Sequence, residues 1–374
     1  MPRVPFVLPL LLALALAGCS ASPSRTAADG PSPVSRAHSS QKGETRAGDY
    51  TDYPAARAMV DRLVRREGFQ RDELSRILAR LERQQRILDF VNRPSPEPTG
   101  KPTGSWTRYR GKFLTEDRVG AGVQFWREHE DALELARLRY GVGPEYVVAI
   151  IGVETRYGSN MGRHRVIDAL ATLAFDFPRR SEFFTGELES YLVMTRTEGL
   201  DPFTPVGSYA GAMGLGQFMP SSFQRFAVDF DGDGRRDLWG PADAIGSVAH
   251  YFREHGWRMG EAVAVPALAR RPEAAQLKAD YTTRYPLGEL SFRGVTPASP
   301  LAGVEEASLL RLDAAGGYEY WLGLPNFYVI TRYNHSTYYA MAVHQLAEAL
   351  RERHDRLFGP VRSARGEGPP GPAM

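Results

Sequence analysis

Between Pro144 and Gly158 the apolar residues Val147, Ile150 and Ile151 fall at i, i+3 and i+4, and Glu154 takes the i+7 place on the same stripe. Pro144 suits a first helical position and Gly158 the residue just past a helix end. The spacing therefore predicts a short helix with one carboxylate on its apolar face. Other stripes of the same period surround it. Ala56, Met59, Val60, Leu63 and Val64 form one within Tyr53–Val91, and Leu74, Ile77, Leu78 and Leu81 form another. Thr115–Tyr140 is a further helical run, with Phe125, Leu133, Ala136 and Leu138 among its apolar positions. Ile167–Phe175, Ser181–Met194, Asp243–His255 and Tyr338–Leu350 read as helices too. Arg93–Gly104 is Pro/Gly-rich and reads as a loop. From 260 to 326 the pattern changes, and Val263–Pro266, Leu290–Phe292 and Tyr318–Leu322 read as short strands among turns. The expected fold class is mainly α (α+β), with a small late β region.

The ends of the chain read differently from its middle. Arg3 gives a small positive region, and Val7–Ala17 is apolar but too short for a membrane span. Leu16-Ala17-Gly18-Cys19 resembles a bacterial lipobox, in which the cut falls before the cysteine and that cysteine then carries lipid. Residues 1–18 are accordingly expected to be a signal peptide and Cys19 the lipidation site, against the alternative of an idle thiol. Cys19 is the only cysteine of 374 residues, so an intrachain disulfide is impossible. Several acyl chains would anchor the protein stably. Ser20 stands where an Asp would suggest inner-membrane retention. By resemblance to sorted lipoproteins, this implies the periplasmic face of the outer membrane. Residues 19–48 have a tether's composition and 361–374 that of a disordered tail. Charge is nearly balanced, 46 Lys plus Arg against 44 Asp plus Glu, and no basic run points to a nucleic acid partner.

Three motifs carry candidate chemistry. A Glu on an apolar helix face is desolvated, which raises its pKa and lets it hold a proton for a leaving group near neutral pH. The competing reading is an ion pair with Arg156 or another basic group. The second motif, Gly207–Pro220, has glycines at 207, 211, 214 and 216 that let backbone approach a ligand, flanked by Ser208 and Gln217. It could equally pack helices together. The third, Asp229–Asp237, opens like an EF-hand calcium loop. Asp229, Asp231 and Asp233 alternate, Gly234 stands at the sharp sixth position, and Arg235 at the seventh offers its carbonyl. Position twelve is Gly240 rather than Glu, so the simple pattern fails, and a merely solvated turn is the alternative. His164, His335 and His344 show no metal-ligand spacing.

A helix ending in Glu-Thr-Arg-Tyr-Gly, followed some fifty residues later by Ser-x-Ala-Gly-Ala-x-Gly-x-x-Gln-x-x-Pro, resembles lytic transglycosylases of lysozyme-like fold. Trp106–Tyr109, Phe177–Arg180, Asp243–Val248 and Arg332–Ser336 are similar to the membrane-bound lytic murein transglycosylase B family, and the resemblance spans about Tyr53 to Leu350. It implies a lysozyme-like catalytic core with an EF-hand-like loop (106–259). An α domain (49–105 and 328–360) and a small β domain (260–327) would flank that core. It also implies an activity: cleavage of the β-1,4 bond between N-acetylmuramic acid and N-acetylglucosamine in peptidoglycan, leaving 1,6-anhydromuramic acid ends.

By matching motif Glu154 would be the single acid and then base. Ser208 and Gln217 would bind sugar, and Tyr109, Tyr333 and Asn334 would line the cleft. Arg179 and Arg180 would meet stem-peptide carboxylates or form structural ion pairs. Tyr333 or Ser208 would hydrogen-bond Glu154. The family's calcium loop is longer by three residues and ends in an Asp. Counting fifteen from Asp229 reaches Asp243, so a structural Ca2+, or Na+, is expected and no organic cofactor. The implied partners are peptidoglycan glycan strands and cell-wall synthases. A hydrolytic muramidase and a non-catalytic peptidoglycan-binding lipoprotein are the alternatives.

Overall fold

The computed structural model describes residues 49–93 and 103–359. The signal segment, Cys19, the tether, most of the 93–104 loop and the 361–374 tail lie outside the described residues. The first helices are α1 (Pro54–Glu67), α2 (Arg71–Leu78), α3 (Gln85–Val91) and α4 (Ser105–Arg110). The single run read across Thr115–Tyr140 is two helices, α5 (Glu116–Glu128) and α6 (Glu130–Tyr140). They part at His129, whose φ of −123° and ψ of 28° leave the helical range. Then come α7 (Pro144–Thr155), β1 (His164–Arg165), α8 (Val166–Asp176), α9 (Ser181–Thr197), β2 (Val206–Gly207), α10 (Pro220–Phe226) and α11 (Pro241–Glu254).

Helix α7 is the centre of the molecule. Its apolar residues do not stop at one stripe, because Val148, Ala149 and Val153 are buried along with Val147, Ile150 and Ile151. A helix that is apolar all round has to be enclosed by other helices. Here α5, α6, α11 and the long terminal helix surround it. Helices α1 and α3 pack elsewhere, against α9 and α8, and α2 packs on α1. Tyr50 Oη donates to Asp176 Oδ2 at 2.9 Å and Arg62 pairs with Glu189 at 2.7 Å.

The late region holds β3 (Ala264–Ala269), β4 (Tyr285–Pro286), α12 (Leu287–Phe292), β5 (Val295–Pro297), β6 (Glu306–Ala314) and β7 (Gly317–Gly323). It is followed by α13 (Pro325–Tyr333) and α14 (Thr337–Phe358). The strands pair antiparallel in the order β4-β6-β7-β3-β5. Strand β6 is buried on both faces. Leu310, Leu312 and Ala314 face the main core, while Ala307 and Leu309 join a smaller cluster with Leu290 and Val295. The Leu290–Phe292 segment, expected as a strand, is the end of α12 instead. A strand would put both residues on one face, yet Leu290 is 1% exposed and Phe292 77%. Among the described residues no helix is long and apolar enough to cross a membrane.

Candidate active site

Glu154 occupies the last turn of α7 and is 7% exposed. Burial pushes its carboxyl up to about 7 from an ordinary 4.5. The one opposing influence is a hydrogen bond that Tyr339 Oη, on α14, donates to Glu154 Oε1 at 2.5 Å. That bond favours the ionised form and fixes one carboxylate oxygen. Among the described residues no Lys, Arg or His lies within ion-pair distance of Glu154, so the ion-pair reading falls. Arg156 is exposed and caps the helix instead. No second carboxylate contributes to the raised pKa.

Two other tyrosines share this environment. Burial and then the Glu154 charge raise the hydroxyl of Tyr109, on α4, and that of Tyr333, at the end of α13. Tyr109 stacks on Trp106 and tilts against Phe113 and Tyr338. Tyr333 does not bond Glu154, as the sequence had suggested. Its hydroxyl donates to the Gly216 carbonyl at 2.5 Å. Ser208 is engaged as well, with its Oγ accepting from the Ala210 and Ala212 amides at 3.3 and 3.0 Å. The partner that holds Glu154 is therefore Tyr339, which sequence reasoning missed. It lies in a helix whose pattern already accounts for a buried aromatic, so its spacing carries no separate signal.

The glycine loop is brought to Glu154 by hydrogen bonds from the same helix end. Thr155 Oγ1 donates to the Leu215 carbonyl at 3.0 Å and accepts from the Gly158 amide at 3.1 Å. Helix α7 stops at Thr155, earlier than Gly158 suggested, because Arg156 and Tyr157 both turn left-handed, with φ of 52° and 57°. Tyr157 then folds its ring back under the helix, where a Cβ on Gly152 would come within 2.6 Å of it. Gln217 is the third described non-glycine residue with left-handed φ, at 51°. Its Nε2 donates to the Gly214 and Met161 carbonyls at 3.0 and 3.2 Å, which offsets the backbone strain. Non-glycine residues held this way cluster at functional sites, and all three border Glu154 in sequence or through the loop.

Asn334 caps α13 beside Tyr333. Arg179 and Arg180 sit apart. Arg179 donates to the Val91 carbonyl and Asn92 at 3.3 Å, and Arg180 lies over the Phe183 and Phe184 rings. Among the described residues neither arginine contacts Glu154 or makes an ion pair.

The acidic loop folds around its own turn. Carboxylate oxygens of Asp229, Asp231 and Asp243 lie within 4.8 Å of one another. Asp243 is 3% exposed in the first turn of α11 and accepts from the Phe230 and Asp237 amides, each at 2.7 Å. Gly232 and Gly234 take left-handed φ of 80° and 88°. Asp229 accepts from both of their amides. Asp233 accepts from the Arg235 amide and does not join the converging carboxylates. Three converging oxygen donors, one of them buried, fit a hard cation such as Ca2+.

A family model described as the transglycosylase SLT domain matches residues 52–348. The membrane-bound lytic murein transglycosylase B of Escherichia coli (strain K12) is 48% identical over 353 residues, covering 92% of this chain and 97% of the relative. The Escherichia coli lytic transglycosylase Slt35 in complex with bulgecin A is 51% identical, with a TM-score of 0.78 over 82% of this chain and 96% of that one. The same enzyme in complex with calcium aligns over the same shares at 51% identity with a TM-score of 0.77. A buried carboxyl on a central helix, the glycine loop tied to it and matches of this length agree, and the chain belongs to the transglycosylase SLT domain family.

Proposed function

We propose that this lytic murein transglycosylase uses Glu154 as its single acid and then base. The observation that carries the reading is Glu154 itself: buried, without an ion pair, held near neutrality by desolvation and bonded by Tyr339. Below about pH 7 it holds a proton. It gives that proton to the glycosidic oxygen as the bond from the muramic anomeric carbon breaks. The substrate N-acetyl group stabilises the oxocarbenium-like centre. The resulting carboxylate, still bonded by Tyr339, takes the proton of the muramic C6 hydroxyl as its oxygen bonds the anomeric carbon. Water is not consumed, and Glu154 ends protonated for the next cycle. Glycosidases with two carboxylates place them about 5–10 Å apart. No carboxylate is among the groups that shift Glu154 in the described residues, in keeping with a single-acid route. Ser208, Gln217, Tyr109, Tyr333 and Asn334 line the sugar site in this proposal. Arg179 and Arg180 bind further out, where a stem-peptide carboxylate would reach them.

Tyr339 has a direction that can be tested. Its hydrogen bond lowers the Glu154 pKa against burial, so Tyr339→Phe should raise it. The alkaline limb of the rate profile should move to higher pH, with the maximal rate down about 10-fold from lost orientation. A limb that stays put or moves down would show that Tyr339 does not set the proton.

Asp229, Asp231 and Asp243 would hold a structural Ca2+, or Na+, tying the loop to α11. Ca2+ should raise the melting temperature by a few degrees and EDTA should reverse it. Asp243→Asn should remove the response, whereas equal melting with and without Ca2+ would refute the site.

Cys19 would anchor the chain to the periplasmic face of the outer membrane, with murein glycan strands as its partner and cell-wall synthases nearby. A Cys19→Ser protein that still fractionates with membranes would defeat the anchor. The division into a 106–259 core with flanking α and β parts is proposed on the same family likeness.

A further inference from the structure

A large groove lies away from Glu154. It encloses about 1390 Å³ between the N-terminal end of α7, the segment entering β3, strand β7 and the middle of α14. The same two helices carry both places. They run antiparallel, with Tyr339 meeting Glu154 at one end and His344 Nδ1 lying 3.1 Å from Tyr146 Oη at the other. Tyr146 and Glu154 are eight residues apart on α7, which is about 12 Å along a helix. The Tyr146–His344 pair is buried, at 6% exposure each, and lines the groove.

The groove walls mix aromatic residues with hydrogen-bonding groups; Tyr146, Trp257 and His344 are buried, and Trp321 is the ring left partly exposed. Trp257 packs edge-on against Tyr146 at 4.9 Å, and Trp321 is half-buried and edge-on to His344 at 6.0 Å. Arg351 lies 3.6 Å from Glu145 and 2.7 Å from Glu348, and the wall carries both signs, with five carboxylates against three guanidinium groups. Gln345 Oε1, also in the wall, is buried with no hydrogen-bond partner. A wall with an excess of carboxylates does not select an anion. The volume exceeds the roughly 300–1,000 Å³ of a small-molecule pocket and suits an extended ligand. Neutral, extended molecules with apolar faces and hydroxyl and amide rims fit rings interleaved with carboxylate, guanidinium and amide groups.

The geometry points to a second glycan-binding site in this groove, holding N-acetylated sugars of a murein strand while Glu154 acts on another stretch or another strand. It rests on the transglycosylase reading for its ligand class. Its effect is on retention rather than chemistry, because two linked sites on one polymer raise the effective concentration at each.

The test uses the full-length chain carrying Glu154→Gln, with tetra-N-acetylchitotetraose as the calorimetric probe and purified sacculi as the polymer. Two sugar sites per chain are expected. Trp321→Ala, and separately Ala262→Arg, which adds bulk at an exposed lining position without removing packing, should each leave one. Sacculus binding should fall about 10-fold in both. In chains retaining Glu154, both variants should cleave short soluble muropeptides at the unaltered rate. One site in the Glu154→Gln parent, or two sites kept in Ala262→Arg, would overturn the proposal. Loss of muropeptide cleavage by Glu154→Gln alone reports separately on the catalytic reading.

Discussion

Glu154→Gln is expected to lower murein turnover by at least about 10³-fold while leaving the fold and glycan binding intact. The amide keeps the shape and can still accept from Tyr339, but it can neither give nor take the reacting proton. The same substitution should change stability in a pH-dependent way. Burial holds the folded carboxyl at about 7, against 4.5 for an ordinary one. Below that lower value both folded and unfolded chains are protonated and burial of the acid carries no electrostatic cost. As pH rises towards 7 the unfolded chain releases its proton first, so wild-type stability falls. Above 7 the whole difference, about 3 kcal/mol, is lost. Gln has no such dependence. The stability gap between variant and wild type should therefore widen in the variant's favour by about 3 kcal/mol from pH 4 to pH 8, read by urea unfolding. A gap that does not change with pH would mean that Glu154 is not a desolvated acid.

Gly214→Ala should be the most damaging small substitution in the loop. Gly214 has a φ of +68°, and a Cβ there would run into the backbone carbonyl oxygen of Leu238. A carbonyl in a backbone hydrogen bond cannot move aside cheaply, and this one accepts from the Leu215 amide at 2.9 Å. Gly214's own carbonyl accepts from Gln217, and Leu215's accepts from Thr155. One methyl group thus disturbs Gln217 and the tether between the loop and α7 together. The expected cost is about 3 kcal/mol from backbone strain and overpacking, with cleavage falling further than stability alone explains. Thermal unfolding and a soluble-muropeptide assay read the two effects. Wild-type melting and activity in Gly214→Ala would show that the loop is not held as described.

Much of this was legible in the chain because helical periodicity is strong where helices bury one face. The stripes around Ile167, Leu188, Val248 and Val343 became α8, α9, α11 and α14. The pattern was least informative where burial is two-sided. Strand β6 faces apolar surroundings on both sides, so its Leu309-Leu310 pair does not alternate and it was not singled out. Phe292 misled for the opposite reason: an exposed aromatic in a three-residue run imitated a strand. At the site, Glu154 stood out because a carboxylate contradicts its neighbours. Tyr339 did not, because a tyrosine suits a helix core whether or not its hydroxyl has a task. Asp243 was reachable only by counting along a family's longer loop, since it joins the cluster from a separate helix. The convergence of Asp229, Asp231 and Asp243, with Asp233 outside it, is a property of the folded turn.

Glu154 is proposed to work alone and without water. The most direct measurement is mass spectrometry of the products released from purified sacculi by the wild type and by Glu154→Gln side by side. The wild type should release muropeptides with 1,6-anhydromuramic ends, lighter by one water than hydrolysis products, and the variant should release none. Reducing ends from the wild type, or anhydro ends from Glu154→Gln at the wild-type rate, would contradict it.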